Sequence, residues 1–189
     1  MNILKSIALL SVSSTLLLAT PPQKTDIQIG QHSTKLLLKT LGSNMKKKMK
    51  AGGPIKALDF CATEAYNLTE KVNTQLPKGV SIKRISLKFR NPANKPEADE
   101  AKILASLETL QKNNVVLPKH LLQKVNENVS KFYKPLLINK KVCLKCHGDI
   151  ANENITKAIA KKYPLDKAQH YKMGDLRGAV VVTIDKSKR

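Results

Sequence analysis

Cys143-Leu144-Lys145-Cys146-His147 restricts this chain more than any other stretch. Two thiols three positions apart can add to the two vinyl groups of one haem. The histidine that follows is then held under the iron as a ligand, which is the c-type attachment pattern. The spacing is a geometric demand, because the vinyls sit on adjacent pyrroles and a tight turn must reach both. Gly148 lets the backbone leave without a side chain crowding that turn. A fold built around this motif has to seat a porphyrin. With aromatic residues at 4 % and no Trp, its core gains much from such an apolar insert. Other chemistries of the pattern find less support. A structural zinc needs two further ligands at matching spacing, and beyond the motif only Cys61, His32, His120 and His170 remain among cysteines and histidines. A thioredoxin-like pair expects a strand-to-helix context, whereas Lys140 and Lys141 precede Cys143. A disulfide across so short a loop would be strained.

The N-terminus favours haem. Residues 1–20 carry one cation, Lys5, followed by an apolar run from Ile7 to Ala19. That run is too short for the roughly 20 residues of a membrane span and suits a signal peptide or N-terminal anchor. Export to the periplasm is the expectation, and haem is attached to such motifs outside the cytosol. Export also places thiols in an oxidising space, where a free one needs an explanation. The formal net charge is +20, nearly all of it beyond the leader. So basic a surface favours an anionic partner. Export turns the choice away from nucleic acid and toward an acidic redox protein, with a membrane tether if the leader is retained.

Hydrophobic periodicity predicts a mixed chain. Leu37, Leu41, Met45 and Met49 recur every four residues and predict a helix over Gln28 to Ala51. Gly52-Gly53-Pro54 should break it and start a second helix reaching Gln75. On that second helix Leu58, Cys61, Ala65, Leu68 and Val72 share a face. Val80 to Phe89 reads as a strand. Val80 and Ile82 are out of phase with Ile85, Leu87 and Phe89, which predicts a bulge near Lys83 and Arg84. A helix over Glu97 to Lys112 follows, then two short strands after Pro118 joined through Asn126 to Asn128. A helix over Asn154 to Lys162 and a buried strand over Arg177 to Ile184 complete the chain.

By chemistry, the second iron ligand could be Cys61, His32, His120, His170, Met45, Met49 or Met173. Met45 and Met49 lie on a regular helical stripe and read as core. The three histidines lie in polar surroundings and read as surface. Cys61 is the odd thiol, on an apolar helix face. Arg84, Arg90 and Arg177 are candidates to grip the haem propionates, since Arg meets carboxylates in a planar fork. Arg177 could instead pair with Asp175 or Asp149.

Taken together, several segments resemble the Tll-type mono-haem c domain family. They are Gly52-Gly53-Pro54 with Ala57, Leu58 and Cys61; Ile85-Ser86-Leu87-Lys88-Phe89-Arg90-Asn91-Pro92; Lys134-Pro135-Leu136 ahead of the haem motif; Tyr163-Pro164 with Asp166 and Ala168; and Gly174-Asp175-Leu176-Arg177-Gly178. The resemblance implies an α+β, PAS-like fold over residues 25–185, with a central antiparallel sheet flanked by helices and long N-terminal helices. It also implies one haem ligated by His147 on one side and the Cys61 thiolate on the other. Such ligation stabilises ferric iron and lowers the potential. Two roles then stand close together: a low-potential electron carrier, and a redox or gas sensor that works with a separate output partner. An enzyme ranks behind both.

Overall fold

The computed structural model describes residues 24–188; the leader expected at residues 1–20 lies outside them. Five helices and four strands follow in the order α1 (Asp26–Thr63), α2 (Ala65–Asn73), β1 (Val80–Ile85), α3 (Ala98–Lys112), β2 (Leu121–Lys124), β3 (Val129–Leu137), α4 (Lys141–His147), α5 (Glu153–Lys162) and β4 (Leu176–Asp185). Among the described residues no helix is long and apolar enough to cross a membrane.

Helix α1 begins in a capping box: the Gln28 N–H donates to Thr25 Oγ1 at 3.3 Å, and the Thr25 N–H to Gln28 Oε1 at 2.9 Å. Asp26 in this first turn ties the helix to the sheet. Its carboxylate accepts from Ser130 Oγ at 2.9 Å, with Lys186 Nζ at 3.1 Å and Lys124 Nζ at 3.3 Å. Burial alone would raise this carboxyl, but the donors outweigh it and hold it below the usual carboxylate range. Because the folded value is depressed, the stabilisation is complete above the unfolded value of about 3.9 and is lost as pH falls through the folded one. An acid titration of thermal stability should therefore show a loss below about pH 4 that is shallower in Asp26→Asn.

The break at Gly52-Gly53-Pro54 is present. Gly52 (φ −175°, ψ 28°) and Gly53 (φ 67°, ψ −157°) leave helical geometry, and α1 resumes at Pro54 in a new direction. The second half does not run on to Gln75. It stops at Thr63, and α2 starts afresh after Glu64 (φ −112°).

The sheet is antiparallel in the order β1-β4-β3-β2. One face packs on α1 and α2 through Val180, Val182, Ile184, Val80, Ile82 and Phe132. The other packs on α3 through Ala179, Val181, Ile85 and Tyr133, with Leu104 and Leu107 opposite. Gly30 lets α1 settle on the sheet, since a Cβ there would come within 2.2 Å of the Phe132 ring.

A sheet buried on both faces explains one misreading of the sequence. The phase change in Val80 to Phe89 is not a bulge near Lys83 and Arg84. β1 pairs with β4 without interruption from Val80↔Ile184 to Ile85↔Ala179. Val80 and Ile82 serve one core and Ile85 the other. The strand also ends at Ile85, before Leu87 and Phe89. The irregularity lies elsewhere, between Leu136 and Leu137 on β3. It faces Gly178 (φ 149°), where a Cβ would strike the Ile85 carbonyl oxygen at 2.2 Å.

β1 is an outer strand, and most of its outward row is occupied. The Val80 N–H donates to the Pro77 carbonyl at 3.0 Å, and the Ser86 N–H to the Asn94 carbonyl at 3.0 Å. Between them the Asn73 side-chain amide imitates a neighbouring strand. Its Nδ2 donates to the Ile82 carbonyl at 3.1 Å, and its Oδ1 accepts from the Ile82 N–H at 2.7 Å.

Candidate functional site

Both halves of α1, α2, β1 and α4 wall a cavity of about 300 Å³, at the lower end of the range for small-ligand pockets. Cys61, Cys143, Cys146, His147, Arg84, Arg90 and Arg177 all line it, so the structure brings the motif, the odd thiol and the three arginines together. Ala57, Leu58 and Val142 add apolar wall.

The motif lies on a short helix, α4, rather than in a bare turn. Helical spacing of three and four residues puts Cys143, Cys146 and His147 on one face. Gly148 closes this helix in extended backbone, so close approach rather than left-handed geometry calls for glycine here. A Cβ would lie 3.0 Å from the Leu144 carbonyl oxygen.

His147 is oriented by the segment before β4. Its Nδ1 is 2.9 Å from the Ala168 carbonyl oxygen. A carbonyl can only accept, so Nδ1 carries the proton and Nε2 keeps its lone pair. Burial, with the Arg177 and Arg90 charges, pushes the imidazolium pKa down to about 3, so the ring is neutral near pH 7. Tyr171 meets the ring edge-on, with centroids 6.3 Å apart at 87°.

The three arginines do different things. Arg90 is 7 % exposed, and the Asp166 side chain 4 %. Arg90 Nε and Nη2 fork onto Asp166 at 3.0 and 3.1 Å. Nη2 also donates to the Cys146 carbonyl at 2.6 Å and the Ala168 carbonyl at 3.0 Å. Arg90 therefore clamps α4 to the same segment that orients His147. Burial alone would raise the Asp166 carboxyl, but bonds from Arg90, the Ala168 N–H and Gln169 hold it below its usual range. Arg177 Nη1 donates to Ser86 Oγ at 2.7 Å and the Lys88 carbonyl at 3.2 Å. It pairs with neither Asp175 nor Asp149; Asp149 meets His170 at 2.6 Å, and Asp175 accepts from the Lys172 N–H. Arg84 is the uncommitted one. Its buried Nε has no hydrogen-bond partner among the described residues. A buried donor left unpaired is costly, and this one belongs to a side chain lining the cavity, where an anionic group would satisfy it.

Cys61 lies where the α1 core meets the cavity. Burial pushes its thiol up, with Arg84 and Arg90 pulling partly against it. Of the other ligands considered, His32 and His170 are exposed, His120 stacks on Phe132 at 5.1 Å, and Met173 is exposed; none of these lines the cavity. Met45 and Met49 do line it, so the stripe read as core also faces the site. Among the described residues no three His, Cys, Asp or Glu side chains converge as one ion would need. Cys61, Cys143, Cys146 and His147 are instead spaced around a cavity, an arrangement that suits a broad ring better than a single ion. Sequence reading assigned no role to Asp166, Ala168 or Ser86. They act through carbonyls and a fork closed across 76 to 91 positions of chain, which no local pattern reveals.

A family model described as Tll0287-like matches residues 22–185. Comparison with curated proteins finds no match. Among solved structures, the chain is similar to that of the cyanobacterial heme-protein Tll0287, with a TM-score of 0.65 and 19 % identity over 88 % of this chain and 99 % of that one. At that identity the likeness speaks for the fold, and it agrees with an α+β chain built on an antiparallel sheet.

Proposed function

Since the chain belongs to the Tll0287-like family, we propose that it binds one haem covalently and serves as an exported, low-potential electron-transfer protein. The observation that carries this reading is the shared cavity: Cys143, Cys146 and His147 on one face of α4, with Cys61 and the unpartnered Arg84 on its other walls. A solved structure of similar fold is described as a heme-protein, which supports the same cofactor here.

The residues present fit that group. Cys143 and Cys146 would carry the two thioether links. His147 offers a neutral Nε2, its tautomer fixed by Ala168. Cys61 offers sulfur from α1. Arg84 Nε, aided by Arg177, would take a propionate and so gain the partner it lacks. Arg90 is engaged chiefly in holding the motif, with a propionate contact as its secondary role. The haem itself supplies the one-electron couple. A Cys61 thiolate and the His147 imidazole, as the residues that would hold the iron, would stabilise the ferric state and set the potential low. The basic surface favours an acidic redox partner, with the periplasm as the compartment and a tether through residues 1–20 if they are retained. The chain acts as a carrier, not an enzyme.

Cys61→Ala tests the ligand set. Its haem-loaded ferric spectrum should lose the six-coordinate thiolate signature, and its midpoint potential should rise. An unchanged spectrum would remove Cys61 from the iron. The second reading is a redox or gas sensor with a separate output partner. The break at Gly52 and Gly53, between cavity-lining Met49 and Cys61, favours it by giving α1 a place to bend.

A further inference from the structure

We infer that the methionine pair of α1, Met45 and Met49, supplies a thioether that replaces the Cys61 sulfur on the iron when the haem is reduced. This rests on the haem reading above. Met45, Met49 and Cys61 all come from α1 and all line one cavity, whereas His147 reaches it from α4. Met45 also packs on the same core cluster as Cys61, which puts two sulfurs of different character on the α1 side of the site. Both methionines are half-buried and lie one turn apart, so either can turn inward with its unbranched, flexible side chain. Between them and Cys61 the backbone leaves helical geometry at Gly52 and Gly53. The two sulfur donors therefore ride on separate helical pieces.

Charge decides which sulfur the iron prefers. Ferric iron holds an anionic thiolate strongly. Ferrous iron carries one positive charge less, and a neutral, soft thioether suits it better. One electron arrives from the redox partner protein, or from dithionite in the test. The iron–sulfur bond to Cys61 breaks with its electron pair on sulfur, and that sulfur takes a proton from solvent. A methionine lone pair then forms the new bond. Such a change links oxidation state to the two halves of α1, giving the protein a structural readout of its own redox state.

The test uses the haem-loaded full chain and the variants Met45→Leu, Met49→Leu and the double substitution. Leucine keeps volume and packing nearly constant, and an unchanged ferric spectrum certifies that each variant retains its site. The wild-type ferrous protein should be six-coordinate and low-spin without a thiolate signature. The double variant should turn five-coordinate and high-spin on reduction. If the thioether occupies the iron nine-tenths of the time, the double variant should also bind carbon monoxide about ten-fold more tightly. A single variant that reproduces the double identifies the ligand. A ferrous wild type that keeps its thiolate, or a double variant with the wild-type ferrous spectrum, overturns the exchange while leaving the haem reading intact. A colourless wild type from a host able to install haem overturns both.

Discussion

Replacing both Cys143 and Cys146 with alanine is expected to release the haem from the denatured chain. Wild-type protein made with haem-maturation machinery should keep haem stain on a denaturing gel and carry the mass of one haem. The double variant should lose both signals completely. The reason is the geometry of α4. Its two thiols share a face with His147 and open on the same cavity, so a single helical turn would present both to one porphyrin. Single variants should keep the stain, because one thioether still holds. The native double variant can stay coloured, since His147 and Cys61 remain available to the iron. The contrast between native colour and denatured loss separates covalent attachment from ligation. Wild-type protein that sheds its stain on the gel would show that ligation alone holds the group.

The second large effect concerns Arg90 and Asp166. Removing one partner of a buried ion pair leaves the other charge stranded, which costs about 3–5 kcal/mol. Asp166→Ala should therefore lower unfolding stability by about that amount, measured by urea titration of the haem-loaded forms. Arg90→Leu should cost a similar amount, because it also strips donors from the Cys146 and Ala168 carbonyls. The double variant should fall well short of the sum, since the two residues act as one unit. Both single variants should also attach less haem. The clamp holds the loop that fixes the His147 tautomer, so a looser clamp leaves the imidazole free to turn away from the iron. Full stability in Asp166→Ala would show that the fork contributes nothing to holding α4.

The sequence carried most of the site and most of the fold because both are written in local patterns. Cys143 to His147 is contiguous, although the sequence reads as a tight turn where the structure has the short helix α4. The helix break at Gly52-Gly53-Pro54, the strands after Pro118 and the Val-rich last strand follow from turn residues and apolar runs. What failed was the reading of Val80 to Phe89. Alternation tells which side a residue faces, but it does not tell whether the second side is also covered. Here α3 covers it, so a change of phase was mistaken for a bulge. Met45 and Met49 failed for a related reason: a stripe can face a core and a cavity at once. The Arg90–Asp166 fork was illegible because its partners meet only after the chain has closed on itself.

The mostly occupied outer row of β1 has a consequence beyond the site. A sheet rim with free amides and carbonyls invites another chain to add a strand, the first step toward stacked aggregates. Pro77, Asn73 and Asn94 meet that row at Val80, Ile82 and Ser86, on either side of Arg84, where the cavity begins. Beside the cavity, a polypeptide still waiting for its porphyrin therefore offers an open pocket next to a strand edge whose groups are mostly taken, which leaves a neighbouring chain little to join on that side.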